Sequence, residues 1–162
     1  MTIAYSLYEG PEGPLLLAVD ERGGVVRVAF VLDEPTIGDD WVRDDAAVEH
    51  VRVQLDEYFA GERNRFDVEL APEGTPFQLQ VWDELLRIPY GETISYGELA
   101  RRVDRPGAAR AVGAANGQNP IAIVVPCHRV VGADGSLTGF GGGLDWKRCL
   151  LDLETGTRSL LH

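Results

Sequence analysis

The chain is short of cysteine, of long apolar runs and of positive charge, and each shortage excludes something. Its two cysteines, Cys127 and Cys149, do not sit in a Cys-x-x-Cys pair. They cannot form a disulfide framework, and they point to reduced thiols in the cytoplasm. No apolar run approaches membrane-spanning length; "VVRVAFVL" is short and carries Arg27. The start, "MTIAYSLYEG", lacks the basic and apolar regions of a signal peptide. Histidine is also scarce: His50, His128 and the terminal His162 are all there are. His50 has no cysteine or second histidine at ligand spacing, so no metal site is predicted.

What is present suits an ordinary globular protein. The 162 residues are 44% hydrophobic and 25% charged, enough for one or two domains with a proper core. The net charge of -11 argues against a nucleic-acid partner, but it is unevenly spread. Residues 1–74 hold 17 acidic and 6 basic groups, whereas residues 75–162 hold 9 of each. Between Arg87 and Val131 lie Arg87, Arg101, Arg102, Arg105, Arg110 and Arg129 against Glu92, Glu98 and Asp104. A local basic surface on the second part is therefore open, and a plain solvated face fits equally.

Along the chain, "GPLLLAVD" and "GVVRVAFVL" read as strands joined by the turn "ERGG". An acidic loop from Asp33 to Asp45 leads into a helix through "AAVEHVRVQLDEYFAGE", with Gly61 a candidate cap. "FDVEL" reads as a further strand, and "APEGTP" marks the boundary between domains at 1–72 and 75–156. Thr75 followed by Pro76 signals a helix start, and Val81, Trp82, Leu85 and Leu86 continue its apolar stripe. "SYGE", Ser95 to Glu98, has the spacing of a capping box. After "DRPG", Pro106 can open a second helix, "GAARAVGAANG", capped by Gly117. Two short helices across a tight turn fit a helix-turn-helix and a core hairpin equally well. The second helix carries almost only Ala and Gly besides Arg110, so it cannot read base edges; it suits close approach without sequence specificity, or close helix packing. A hairpin turn is predicted at "GADG", then the glycine loop 138–143 and a last helix, "LDWKRCLLDLE". The fold class is α/β in the α+β sense: a small sheet-plus-helix domain, then a mostly helical one.

The stretch "IAIVVPCHRVVG" brings an apolar run up to a proline and then sets Cys127, His128 and Arg129 side by side. A thiol needs a base or a positive charge nearby to become a useful nucleophile. His128 is the one histidine with an obvious route to Cys127. In an extended strand neighbours point to opposite faces, so contact needs a turn at Pro126–His128 or a bridging water. Cys149 falls in register with Trp146, Leu150 and Leu153 and reads as core.

"PCHRVVG", together with "VWDELLRIPYGETISYGELA", "GAARAVGAANGQNP" and "GSLTGFGGGLDWKRCLLDLE", resembles the O6-alkylguanine-DNA alkyltransferases, the methylated-DNA–protein-cysteine methyltransferases. The likeness runs from Thr75 to Glu154 almost without a gap and more weakly into "YFAGERNRFDVEL". It implies irreversible, cofactor-free transfer of an alkyl group from O6 of guanine to Cys127. His128 would deprotonate the thiol through a water, oriented by Glu154. Tyr96 would give its phenol proton to the departing base, and Arg110 would fill the space of the flipped nucleotide. Asn119 would hold the turn into the active-site strand, and Phe140, Gly141 and Gly142 would wall the base pocket. Relatives often have tyrosine at the position of Phe140. Ser95, Tyr96, Ala111, Gly113 and Arg129 would join Arg110 at the DNA. The implied partner is duplex DNA containing O6-alkylguanine, bound by a monomer, without sequence specificity, through the minor groove. A nonrepairing binder of alkylated DNA, a Cys-His hydrolase and a DNA-binding regulator are the competing readings. The presence of Cys127 opposes the first, adjacency of Cys and His the second, and the Ala/Gly helix the third.

Overall fold

The computed structural model describes residues 2–137, 140 and 142–156. Three antiparallel strands come first: β1 (Ala4–Gly10), β2 (Gly13–Val19) and β3 (Val25–Phe30). β4 (Val42–Arg43) adds in parallel beside β1, giving the order β3-β2-β1-β4. The inner strand β2 is buried at every position from Leu15 to Val19, which explains its unbroken apolar run. β4 was invisible in the sequence because two residues in an acidic loop carry no periodicity.

A single 3₁₀ turn, Ala46–Val48, leads into α1 (Glu49–Phe59). Its buried residues Val51, Leu55, Tyr58 and Phe59 recur at helical spacing and share one core with Leu15, Leu17 and Val28 of the sheet. The cap falls on Ala60, and Gly61 follows with φ +78°.

"FDVEL" forms no strand. Only Leu70 makes a bridge, to Val25, closed by Val25 N–H to Glu69 O and Ala71 N–H to Val25 O, both at 2.8 Å. β3 has little free edge left for a full strand there. Farther along, Val28 N–H donates to Pro120 O at 3.0 Å, and Ala122 N–H donates to Val28 O at 2.9 Å. The edge of the N-terminal sheet thus holds the turn that precedes Cys127.

α2 (Pro76–Leu85) starts as its sequence dictates. Thr75 Oγ1 accepts from Gln78 N–H at 3.1 Å while Gln78 Oε1 accepts from Thr75 N–H at 2.9 Å. Trp82 reaches across to α4 (Ala109–Gly117), donating its indole N–H to Ala115 O at 2.8 Å. Between them, β5 (Ile94–Ser95) leads into α3 (Tyr96–Arg102). Ser95 Oγ accepts from Glu98 N–H at 3.0 Å, but the Glu98 carboxylate turns to Arg101 and Arg102 instead of closing the box. α4 begins at Ala109, later than Pro106 suggests, with Asp104 (φ +60°) and Gly107 (φ +88°) shaping the turn between α3 and α4. The pair is a helix-turn-helix.

The apolar run after α4 is not a strand. Ile121 bridges to Val28, the next residues turn, and Cys127–Arg129 form one turn of 3₁₀ helix before β6 (Val130–Val131), which pairs in parallel with β5. Ile123 adopts φ +72° while fully buried, a conformation that costs a β-branched residue about 1–3 kcal/mol. Asn119 braces it: Nδ2 donates to Val125 O at 2.8 Å and Oδ1 accepts from Ile121 N–H at 3.0 Å. At "GADG" the turn exists, with Gly132 N–H donating to Ser136 O, and among the described residues no paired strand follows it. α5 (Leu144–Thr155) closes the fold and ends on Gly156 at φ +75°. Gly141 and His162 lie outside the described residues.

Candidate active site

Cys127 is 6% exposed, at the wall of a cavity of about 390 Å³. The cavity runs between the edge of β3 at Val28–Phe30, the end of α4 at Asn116–Pro120, Ala122 and the ring of Phe140. Phe140 stands edge-on to Phe30 with centroids 5.2 Å apart. Gly142 is needed beside them, since a Cβ there would come within 2.6 Å of the Phe30 ring. The 3₁₀ turn supplies the geometry that an extended strand would deny: it lets Cys127 face the cavity while His128 turns into the protein.

His128 is wholly buried and its Nε2 lies 2.7 Å from Glu154 Oε2. A carboxylate only accepts, so the imidazole carries its hydrogen on Nε2 and keeps the Nδ1 lone pair. Among the described residues Nδ1 has no protein partner. Arg129 completes the cluster, with Nε donating to Glu154 Oε1 at 2.8 Å and Nη2 to Oε2 at 3.0 Å. Its Nη1 donates to Ile88 O at 2.6 Å, and the guanidinium lies 5.7 Å from the Tyr90 ring centroid. Arg129 therefore does not belong at a DNA surface. It is the buried countercharge of Glu154, because a carboxylate this deep needs one.

The electrostatics follow from burial. Loss of water pushes the Cys127 thiol up, against the Asn119 hydrogen bond and the nearby Lys147 charge. It pushes His128 down, against the pull of Glu154. Burial also opposes the Glu154 charge, but hydrogen bonds from His128 and Arg129 outweigh it and hold the carboxyl well below its ordinary range. The resting centre is a thiol, a neutral imidazole and a carboxylate.

Tyr96, at the start of α3, packs against Gly113 of α4, where a Cβ would sit 3.5 Å from its ring. Arg110 and Ala111 are exposed on the outer face of α4, and Arg110 has no ion pair among the described residues. Arg101 and Arg102 are paired with Glu98, and Arg87 with Asp83 and Glu84. Of the six arginines that suggested a basic surface, two have no carboxylate partner among the described residues: Arg110, and Arg105 against Phe77.

Three residues escaped the sequence reading. Asn116, buried on α4, donates to Cys127 O at 3.3 Å. Lys147, wholly buried, donates to Val130 O at 2.7 Å and lies 5.7 Å from the Phe140 ring centroid. Tyr58 donates to Glu154. A lysine on the apolar face of "LDWKRCLLDLE" was a usable signal for the second; the others carried none.

Residues 3–72 match the ribonuclease-like domain of 6-O-methylguanine DNA methyltransferase, and residues 76–156 match its DNA binding domain. A methylated-DNA–protein-cysteine methyltransferase of Methanosarcina acetivorans is 53% identical over 152 residues, covering 93% of this chain and 97% of the relative. The crystal structure of Mycobacterium tuberculosis O6-methylguanine methyltransferase is similar with a TM-score of 0.89 at 49% identity, covering 97% of this chain and 95% of that one. The M. tuberculosis OGT in complex with DNA matches with a TM-score of 0.89 at 47% identity over the whole of both chains. Matched along nearly its whole length by relatives of one kind, the chain belongs to the 6-O-methylguanine DNA methyltransferase family, DNA repair proteins that move an alkyl group from DNA onto a protein cysteine.

Proposed function

We propose that this protein extrudes O6-alkylguanine from duplex DNA and takes the alkyl group on Cys127, once per molecule and without a cofactor. The observation that carries this reading is the juxtaposition of a cavity-facing thiol with a buried imidazole whose Nε2 is held by Glu154 and whose Nδ1 has no protein partner among the described residues. The thiol proton passes through a water to Nδ1 of His128, and Glu154 stabilises the imidazolium that forms. Cys127 Sγ then attacks the alkyl carbon; the C–S bond forms as the C–O6 bond breaks. The electron pair stays on the guanine, which takes a proton from the Tyr96 phenol. Desolvation makes this useful, since the thiolate appears only as the proton leaves and is not dispersed by water.

Extrusion of the nucleotide costs about a few kcal/mol of unstacking and unpairing. Arg110, long and without an acidic partner among the described residues, offsets part of it by entering the vacated place. Ala111 and Gly113 let the backbone of α4 approach the minor groove, with Ser95 and Tyr96 at the start of α3 beside it. Such a surface binds without sequence preference, as repair of scattered damage requires. Phe140 walls the base pocket with Gly142 behind it against Phe30, and Asn119 holds the turn that sets Cys127. The residues at 75–156 carry DNA binding and transfer; those at 1–72 form a supporting domain whose sheet edge holds that turn. The protein acts as a monomer in the cytoplasm, where thiols stay reduced. The DNA complex of the M. tuberculosis relative supports DNA as the partner.

Mixing the protein with a duplex containing O6-methylguanine should add one methyl group, on the peptide bearing Cys127, as read by intact-protein and peptide mass spectrometry. Cys127→Ser should abolish the gain while retaining DNA binding. A methyl on another peptide, or more than one DNA repaired per protein, would sink the assignment.

A further inference from the structure

Glu154 distributes its hydrogen bonds unequally. Among the described residues Oε1 receives Arg129 Nε, whereas Oε2 receives His128 at 2.7 Å, Arg129 Nη2 at 3.0 Å and the Tyr58 hydroxyl at 2.5 Å. Tyr58 comes from α1, 96 residues away, and is 0% exposed. Its ring is wedged among Phe59 and Phe66, each with centroid 5.3 Å away, and Tyr90 at 6.3 Å. The hydroxyl cannot swing aside without moving that aromatic cluster. A buried hydroxyl needs a partner, but a backbone carbonyl would serve packing equally well. This one is aimed at the carboxylate oxygen that bonds the imidazole.

Three donors on one oxygen share its negative charge. Each weakens the hold of that oxygen on the imidazolium form of His128, and so favours the neutral imidazole that can accept a proton. We propose that Tyr58 is a positioning residue of the transfer centre: its hydroxyl, delivered by the N-terminal region, fixes the orientation and hydrogen-bonding strength of the Glu154 oxygen that faces His128. The proposal rests on the reading of Cys127, His128 and Glu154 as the proton relay. It gives the N-terminal region a part in the chemistry beyond support.

The other charged and titratable groups around the pair are Arg129, Lys147, the Cys127 thiol and the Tyr90 phenol. Tyr58→Phe in the full chain leaves all of them in place. The test is the single-turnover rate of methyl transfer from an O6-methylguanine duplex, followed from mildly acidic to mildly alkaline pH, beside DNA affinity and thermal unfolding. Tyr58→Phe should restore the hold of Glu154 on the imidazolium and so move the acid limb of the profile to higher pH, with DNA affinity unchanged. A ring-fluorinated tyrosine at position 58, a stronger donor of the same shape, should move the acid limb to lower pH. A profile unmoved in both proteins overturns the proposal, including the case where transfer slows only in step with lost thermal stability. Should Tyr58→Phe fail to fold, the fluorinated protein decides alone. His128→Ala separates the two readings: normal transfer by it defeats the relay itself, whereas its inactivity beside a Tyr58→Phe that matches the parent defeats only the role of Tyr58.

Discussion

The two parts of the molecule divide charge and chemistry between them. Residues 1–74 carry the whole net charge of -11, and their described polar groups are mostly at the surface. Residues 75–162 are neutral in sum, yet they hold Cys127, His128, Arg129, Lys147 and Glu154 in the interior. Formal charge thus says little about where electrostatics matter. Acidic groups in water are screened and individually weak, whereas the few buried charges of the second part interact strongly and each must be matched. The first part meets that interior through the β3 edge that holds Pro120 and Ala122, through Tyr58, and through Phe30 and Phe59 packed on Trp146.

Removing a buried charge should break this division most severely. Glu154→Gln keeps the shape but leaves Arg129 without a countercharge, and should cost about 3–5 kcal/mol in urea unfolding as well as most of the transfer rate. By contrast, Glu57→Gln on the exposed face of the first part, where Glu57 meets Arg63, should stay within about 1 kcal/mol of the parent.

Acid should expose the same asymmetry more gently. His128 is held below its ordinary value of 6.5, so the unfolded chain takes up that proton first and stability declines as pH drops below 6.5. Glu154 is held below its ordinary value of 4.5; its contribution is present above that pH and is lost as pH falls through the lower folded value. Urea midpoints measured down the pH scale should therefore fall in two stages. His128→Gln should remove the upper stage; a curve that keeps it would locate the titration elsewhere.

On the outer face of α4, which we propose meets DNA, the effects should be on binding rather than on folding. Arg110→Ala should weaken affinity for an O6-methylguanine duplex by about tenfold in fluorescence anisotropy, with unfolding unchanged. The smallest effect belongs to Gly113→Ala. The new Cβ meets the Tyr96 ring at an ordinary contact of 3.5 Å, and relief of helical glycine should raise stability by about 0.5–1 kcal/mol. If α4 approaches the groove by its backbone, the same methyl should slightly reduce DNA affinity.

The legible parts of this protein were those whose physics is local. Thr75-Pro76 announced a helix start that the fold uses, and the Ala/Gly run announced a second helix beyond the turn. The motif around Cys127 revealed the family, although "IAIVVPCHRVVG" suggested a strand where the chain instead turns. The turn is made by Asn119 bracing a strained Ile123 and by β3 binding Pro120 and Ala122, contacts that propensity does not register. Arg129 misled for a related reason. As one of six arginines it looked like surface, and only its distance to Glu154 reveals a buried pair.

By itself the sequence determined the helix starts at Thr75 and Ser95, the apolar faces and the partition of charge, because each depends on neighbours within one or two turns of chain. The tertiary structure alone decided which way Cys127 and His128 face, where Arg129 is spent, and that Tyr58 meets Glu154. Those outcomes depend on groups brought together from 25 to 96 residues apart, and the strength of a hydrogen bond or charge is set by burial, which no stretch of sequence contains.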